Sequence, residues 1–168
     1  MEILEGQAWV FGDHVTTDDI FPGRFLDRPL EEAGRYAMAG VDETFAQQVR
    51  PGDFVVAGAN FGAGSSREAA VICLKQVGIS AVVARSFARI FFRNAINHGL
   101  PAAIVADTSG IAAGDRLRLN LHARILTDLR TGQTLPILNL TGTSQEILTY
   151  GGIIAYTRAR LARAGGRA

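Results

Sequence analysis

Short apolar runs separated by glycine-rich turns mark the first two thirds of the chain. Four of these runs predict β-strands, at residues 7–11, 54–57, 81–84 and 102–105. The last three are apolar throughout, which is typical of strands buried on both faces of a parallel sheet. The pattern therefore predicts a sheet whose central strands lie inside the protein.

Helical periodicity appears between these strands. Apolar residues recur at helical spacing from Ser66 to about Val77, and Gly78 follows as a stop signal. A second helix is predicted from Phe87 to Asn97, with Gly99 just past its end. Strand, glycine-rich loop at 58–64, helix and strand make a βαβ unit, so the strands on either side of it are expected to be parallel.

The pattern changes in the last third. Residues 116–121 alternate strictly between polar and apolar, which predicts an antiparallel strand with one wet face. Residues 125–127 and 135–137 flank a turn at 131–132 and predict a hairpin, and Ser144 is expected to cap a closing helix. The fold class is therefore α/β: a small mixed sheet core with flanking helices and late antiparallel strands, in one domain spanning residues 1–168.

Composition narrows the class of protein. Hydrophobic residues make up 48% of the 168 positions and charged residues 20%, an ordinary globular balance that excludes a disordered or fibrous chain. The net charge of +1 is too small for a phosphate-neutralising surface, so no nucleic acid is expected as a partner. Uninterrupted apolar runs are too short for a membrane span, so no membrane is expected either.

Cysteine and histidine usage bears on location and cofactors. The single cysteine, Cys73, cannot form an intramolecular disulfide and favours a reducing, cytoplasmic location. One thiol is also too few for an iron–sulfur cluster or a structural zinc site. The three histidines follow no metal-ligand spacing, so we expect no metal or cofactor to be bound by this chain alone.

The most informative segment runs from Gly58 to Glu68. It follows a predicted strand and precedes a predicted helix, which is where ligands bind in open α/β sheets. A helix start offers backbone N–H groups to an anion, and the Arg67 guanidinium can hold a carboxylate through two parallel hydrogen bonds. An anion site is one interpretation. The other is structural, because Ser65 and Glu68 match the Ser-x-x-Glu capping box.

Two other segments are candidates for function. Residues 14–29 are polar, interrupted by proline and glycine, and are expected to be a loop. In residues 85–97 the aromatic side chains are expected in the core, the arginines on the surface, and Ser86 at a helix N-cap. Neither the Gly-Lys-Ser/Thr phosphate loop nor the Gly-x-Ser-x-Gly hydrolase elbow is present.

Taken in order, three short blocks resemble one family. These blocks are Thr17-Asp18-x-Ile20, then Asn60-Phe61-Gly62-x-Gly64-Ser65-Ser66-Arg67-Glu68, then Ser86-Phe87-Ala88-Arg89-Ile90-Phe91. They resemble the small subunits of 3-isopropylmalate dehydratase, the swivel-domain partners in the aconitase superfamily. The resemblance runs from about Trp9 to the C-terminal helix and favours the shorter, archaeal-like branch, which also contains homoaconitase small subunits.

The resemblance implies a fold, a reaction and a partner. It implies an aconitase swivel-type β/β/α domain and a hydro-lyase of leucine biosynthesis that moves a hydroxyl between neighbouring carbons through an alkene. A separate large subunit would hold the 4Fe–4S cluster, forming a heterodimer or heterotetramer that acts on a small hydroxy-dicarboxylate. Ser65 would be the general base, Asp18 would belong to the catalytic hydrogen-bond network, and Ser66 and Arg67 would bind a carboxylate.

The segment after the first block is where the family selects its substrate. Isopropylmalate enzymes often have Tyr-Leu-Arg-Thr there, whereas this chain has Arg24-Phe25-Leu26-Asp27-Arg28. Phe25 and Leu26 suit an isopropyl group, while Arg24 and Arg28 are further candidate substrate contacts, and Arg28 suits an extra carboxylate. The alternatives are thus a homoaconitase or another hydroxy-diacid dehydratase subunit and, outside enzymes, a stand-alone anion-binding module. Ala63 and Ala69 replace the usual cysteine and histidine of the second block.

Overall fold

In the computed structural model, which describes residues 3–165, seven strands form one sheet in the order β4-β3-β2-β1-β5-β6-β7. The strands are β1 (Ile3–Val10), β2 (Phe54–Val56), β3 (Ala81–Ala84), β4 (Ala102–Ile104), β5 (Arg116–Asn120), β6 (Ile125–Asp128) and β7 (Thr134–Pro136). Strand β1 runs parallel to β2 and antiparallel to β5, and is the strand at which the sheet changes type. The predicted α/β fold with a mixed sheet and late antiparallel strands is confirmed.

Across the described residues, six α-helices and two short 3₁₀ helices surround the sheet. The α-helices are α1 (Thr17–Ile20), α2 (Phe45–Gln48), α3 (Ala69–Gln76), α4 (Arg89–Asn97), α5 (Gly142–Thr149) and α6 (Ile153–Gly165), and the 3₁₀ helices are Gly23–Phe25 and Leu30–Tyr36. Within residues 3–165, no helix has the length and apolarity that a bilayer crossing requires.

Two apolar cores lie on opposite faces of the parallel strands. Because successive strand residues point to opposite faces, Val55 and Val82 enter one core while Phe54 and Val83 enter the other. The first core also contains Leu74 of α3 and the segment after α1, whereas the second lies under α5 and α6. The parallel strands are therefore covered on both sides, as their continuous apolar sequences predicted.

The polar segment predicted as a loop contains regular structure. Thr16 caps α1, because its hydroxyl accepts the Asp19 N–H at 3.1 Å and the Asp19 carboxylate accepts the Thr16 N–H at 2.7 Å. This reciprocal pair is a capping box with aspartate at its third position, which satisfies two amides at a helix start. The prediction of loop over the whole of residues 14–29 was wrong at α1 and at the 3₁₀ helix 23–25.

Three boundaries also differ from prediction. Strand β1 extends from Ile3 to Val10 rather than over 7–11, because its first half pairs with β5. Ser86 does not cap α4, which begins at Arg89, and its hydroxyl instead accepts the Asn60 N–H at 2.7 Å. Ser144 lies inside α5, which starts two residues earlier, so it is not an N-cap.

Candidate active site

Three loops meet beyond the carboxyl ends of the parallel strands. The glycine-rich loop after β2 lies in the middle: the Thr17 N–H donates to the Ala63 carbonyl at 2.8 Å, and the Phe61 N–H donates to the Ser86 carbonyl at 3.0 Å. Isolated bridges join the same loops, pairing Thr16 with Ala63 and Phe61 with Phe87. The three sequence blocks are therefore adjacent in space, at the edge where open α/β sheets bind ligands.

Glycine is required at two points of the middle loop. Gly62 has a φ of +81°, and a Cβ placed there would lie 2.3 Å from Cγ of the buried Phe91 ring. Gly64 has a φ of +106°, a conformation that other residues rarely adopt. The loop can therefore pass over α4 and present the next residues outward.

An ion pair joins the first and second blocks. Arg67 Nη1 donates to Asp18 Oδ1 at 2.7 Å and to the Phe21 carbonyl at 3.0 Å. The Gly23 N–H donates to the same Asp18 oxygen at 2.8 Å. The Arg67 hydrogen bond, followed by that of Gly23, holds the pKa of the Asp18 carboxyl below its usual range. Asp18 is therefore an anion that orients Arg67.

Arg67 retains hydrogen-bonding capacity beside the serines. Its side chain is only 19% exposed, whereas that of Asp18 is 66% exposed. Within residues 3–165, its hydrogen bonds all use Nη1. The N–H groups of Nη2 and Nε together form one edge of the guanidinium, which can hold a carboxylate through two parallel hydrogen bonds.

The serines do not lie where the sequence predicted. Helix α3 begins at Ala69, so Ser65 and Ser66 occupy an irregular, exposed segment before it. The Ser65–Glu68 capping box does not form, because Glu68 Oε1 lies 2.5 Å from His98 Nε2 instead. The Arg67 guanidinium carries the positive charge of this segment.

Aromatic packing fixes part of the segment from Arg24 to Arg28, which the sequence comparison linked to substrate choice. Phe25 stacks on Tyr36 with centroids 4.1 Å apart, and the Arg24 guanidinium lies 4.6 Å above the Phe25 ring and 3.5 Å from Glu43. Contacts with other residues of this chain therefore fix the side chains of Phe25 and Arg24. By contrast, Leu26 is 53% exposed, and Arg28 is also exposed.

Sequence reasoning missed several residues at this edge. Gly23 leaves room for the ion pair, since a Cβ there would lie 3.3 Å from Asp18 Oδ1 and 3.4 Å from Arg67 Nη2. A cavity of about 440 Å³ also adjoins the middle loop, lined by Gly62, Gly64, Ala88, Arg89, Ile90 and Arg93. The four-residue spacing of Arg89 and Arg93 on α4 was the signal that they share one face.

The described residues offer no ligand set for a metal cluster. Within residues 3–165, no three His, Cys, Asp or Glu side chains are grouped so that they could hold a metal ion. Cys73 is fully buried in α3, and this burial raises the pKa of its thiol well above the ordinary value. A buried neutral thiol is neither a nucleophile nor a ready metal ligand.

Comparison with known proteins agrees with this fold. A family model described as the aconitase C-terminal domain matches residues 29–105. The crystal structure of 3-isopropylmalate dehydratase from Methanocaldococcus jannaschii superposes with a TM-score of 0.94 at 42% identity, covering 99% of this chain and 100% of that one. The fold and its assembled loops thus define a swivel-type domain of the aconitase superfamily.

Two curated relatives narrow the family. The 3-isopropylmalate dehydratase small subunit 2 of Archaeoglobus fulgidus is 44% identical over 157 residues, 92% of this chain and 94% of that protein. The methanogen homoaconitase small subunit of Methanocaldococcus jannaschii is 46% identical over 160 residues, 94% of this chain and 93% of that protein. The chain belongs to the family of 3-isopropylmalate dehydratase small subunits.

Proposed function

We propose that residues 1–168 form one swivel-type domain, the small subunit of a cytoplasmic hydro-lyase in leucine biosynthesis. The enzyme interconverts 2-isopropylmalate and 3-isopropylmalate through 2-isopropylmaleate. The observation that carries the proposal is the Arg67–Asp18 pair at 2.7 Å, which unites two sequence blocks beside the exposed Ser65. Family membership supports the same reaction.

Arg67 and Ser66 bind a carboxylate of the substrate. Asp18 and the Phe21 carbonyl hold one guanidinium nitrogen, so the remaining edge of Arg67 is oriented before the ligand arrives. This arrangement reduces the ordering cost of binding. Charge-assisted hydrogen bonds to a carboxylate are about twice as strong as neutral ones.

Ser65 acts as the general base. It removes the proton from the carbon next to the bound carboxylate. The C–O bond of the neighbouring carbon breaks, its hydroxyl takes up a proton and leaves as water, and the electron pair of the broken C–H bond forms the alkene. Addition of water in the opposite sense gives the isomer. A serine hydroxyl is a weak base, so the site must stabilise its alkoxide, and Arg67 is the nearby cation of this chain.

The enzyme is completed by a large subunit. Because the described residues form no metal site, the proposal places the 4Fe–4S cluster on that subunit, in a heterodimer or heterotetramer. A stand-alone anion-binding module would use the same Arg67 edge without a partner. Failure of the two chains to co-purify would favour that module.

A second substrate class is favoured by one observation. Leu26 and Arg28 are both exposed in the segment that follows Gly23. Leu26 suits the isopropyl group, whereas Arg28 suits the extra carboxylate of homocitrate or a citrate-like acid. The alternative is therefore a homoaconitase or another hydroxy-diacid dehydratase.

Anaerobic reconstitution with the large subunit tests the proposal. Alkene absorbance is followed with 3-isopropylmalate, homocitrate, citrate and methylated malates as substrates. The highest kcat/KM is expected with 3-isopropylmalate. A higher value with homocitrate would establish the alternative, and no turnover of any acid by a cluster-loaded complex would overturn the hydro-lyase assignment.

A further inference from the structure

The segment that carries the serines is attached to both ends of one helix. At the start of α4, the Ala88 N–H donates to the Phe61 carbonyl at 2.9 Å. Just past its end, His98 Nε2 lies 2.5 Å from Glu68 Oε1. Residues 61–68 therefore run alongside α4, between two fixed points.

Between these points, hydrogen bonds hold the segment on both sides of Ser65: the Gly62 N–H donates to the Val15 carbonyl at 2.7 Å, and the Arg67 carbonyl accepts the Ala70 N–H at 3.2 Å. Ala63 is fixed by the Thr17 N–H, and Arg67 is fixed through its side chain by Asp18 and Phe21. Gly64 adopts a left-handed conformation, while Ser65 is exposed. The position of Ser65 consequently depends on how firmly the chain is held on its carboxyl side.

His98 is well placed to provide that hold. Its own N–H donates to the Asn94 carbonyl at 3.0 Å, and its carbonyl accepts a hydrogen bond from the Lys75 ammonium of α3. Its side chain is 31% exposed.

We propose that Glu68 and His98 are positioning residues that fix the Ser65 hydroxyl over the substrate site. The inference rests on the proposed function and deepens it. Glu68, the glutamate of the Ser-Ser-Arg-Glu block, contacts a residue 30 positions away in the chain. Its sequence had suggested a local helix cap instead.

The Glu5–Arg118 pair is a control that distinguishes a positioning role of Glu68–His98 from a general effect on stability. Arg118 Nε donates to Glu5 Oε1 at 2.6 Å on the β1–β5 pair, and both side chains are partly exposed. Exposed pairs of this kind contribute little stability. If Glu68–His98 were only such a pair, its removal and that of Glu5–Arg118 would have equal effects on the enzyme.

The test uses the reconstituted complex with His98→Ala, Glu68→Ala, Glu68→Gln and Arg118→Ala. We expect both alanine variants of the pair to lower kcat about five-fold, because a displaced base reacts poorly. KM should change by less than about two-fold, since Arg67 has its own anchors. Glu68→Gln should retain most of kcat because its amide oxygen still accepts a hydrogen bond, and Glu68→Ala/His98→Ala should be no worse than either single variant.

Hydrogen exchange on the small subunit alone provides a second measurement. His98→Ala should speed amide exchange of Ala70, Val71 and Ile72, the first hydrogen-bonded amides after Glu68, whereas Arg118→Ala should not. Unchanged exchange there, an unchanged kcat in His98→Ala, or an equal loss of kcat in Arg118→Ala would overturn the inference. If wild type turns over no hydroxy-acid, the proposed function fails, and the exchange result alone decides whether the pair positions Ser65.

Discussion

Arginine–aspartate pairs occur in both halves of the sheet, and they are built in opposite ways. In the parallel half, the arginine of Arg67–Asp18 is 19% exposed, its carboxylate is 66% exposed, and one guanidinium nitrogen is engaged. In the antiparallel half, the Asp115 carboxylate is 5% exposed, Arg130 is 54% exposed, and two guanidinium nitrogens bind it at 2.5 and 2.9 Å.

The difference separates the proposed substrate-binding arginine, Arg67, from one that links two parts of the chain. Arg130 joins the residue before β5 to the turn after β6, and the buried Asp128 fixes the same turn. The Nε–Nη2 edge of Arg130 is therefore occupied by Asp115 within the chain. In Arg67, by contrast, the hydrogen bonds within residues 3–165 use Nη1 alone, and its Nε–Nη2 edge is the one proposed to bind the substrate. The two pairs thus differ in how many guanidinium nitrogens bind the carboxylate and in which of the two side chains is exposed. The distance between nitrogen and oxygen is similar in both.

The sharpest test of this comparison is Ser65→Ala. Removal of the base should lower kcat of the assembled enzyme about 10³-fold, within the range found for general acid–base groups. Alkene absorbance in the reconstituted complex measures the loss, and gel filtration checks assembly. Ser144→Ala, in α5, is the matched control and should leave kcat unchanged. Normal turnover by Ser65→Ala would remove Ser65 as the base.

Lysine substitution of the two arginines should give opposite results. Arg67→Lys should raise KM about 10- to 100-fold, because a point charge cannot replace the two-pronged contact. Arg130→Lys should lower Tm and leave KM unchanged. Steady-state kinetics and thermal unfolding of both variants make the comparison. An unchanged KM in Arg67→Lys would contradict its role in binding.

The hydrogen bonds of Asp128 in the turn after β6 should affect the stability of the protein but not substrate binding. Asp128 is 3% exposed and accepts the Arg130 N–H and the Thr131 hydroxyl, each at 2.8 Å. Asp128→Ala should therefore lower the free energy of unfolding by about 1–3 kcal/mol, because the turn loses the acceptor of two hydrogen bonds. Urea unfolding measures the change. A rise in KM would show that the hairpin also shapes the site.

Crowding at Gly23 should produce a smaller effect. Gly23→Ala places a methyl group against both members of the Arg67–Asp18 pair, so we expect KM to rise about three-fold with little change in kcat. Gly12→Ala is the control, because a Cβ there meets nothing within 4 Å. Equal KM values for the two variants would show that the pair tolerates displacement.

Low pH should weaken both the Arg67–Asp18 and the Arg130–Asp115 ion pairs. Hydrogen bonds from Arg67 and Arg130, respectively, are the main causes that lower the pKa of Asp18 and Asp115. A carboxyl with a lowered folded-state pKa contributes stability above its unfolded pKa of about 3.9 and loses it as the pH falls through the folded value. Stability should thus decline below about pH 4, less steeply in Asp115→Asn. Circular dichroism at decreasing pH measures the loss of stability in the wild type and in Asp115→Asn. An equally steep loss in both proteins would contradict the role of Asp115.

Patterns with short-range causes were predictable from the sequence. The alternation in β5 and the apolar runs of β2, β3 and β4 follow directly from burial, and those strands appear within a residue of their predicted bounds. The meeting of three loops followed from the βαβ order, because carboxyl ends of parallel strands share an edge. The Ser-x-x-Glu pattern misled because a distant histidine, His98, binds Glu68. Likewise, nothing local to Phe25 indicates its stacking on Tyr36.

The enclosed thiol of Cys73 has a practical consequence. It is the chain's single cysteine, it is fully buried, and its raised pKa keeps it protonated at neutral pH. The natural chain is thus already a background for site-directed labelling, since a cysteine introduced on the surface would be the one thiol that reacts. Ile90, half exposed beside the cavity on α4, is one position at which such a cysteine could be introduced without prior removal of native thiols.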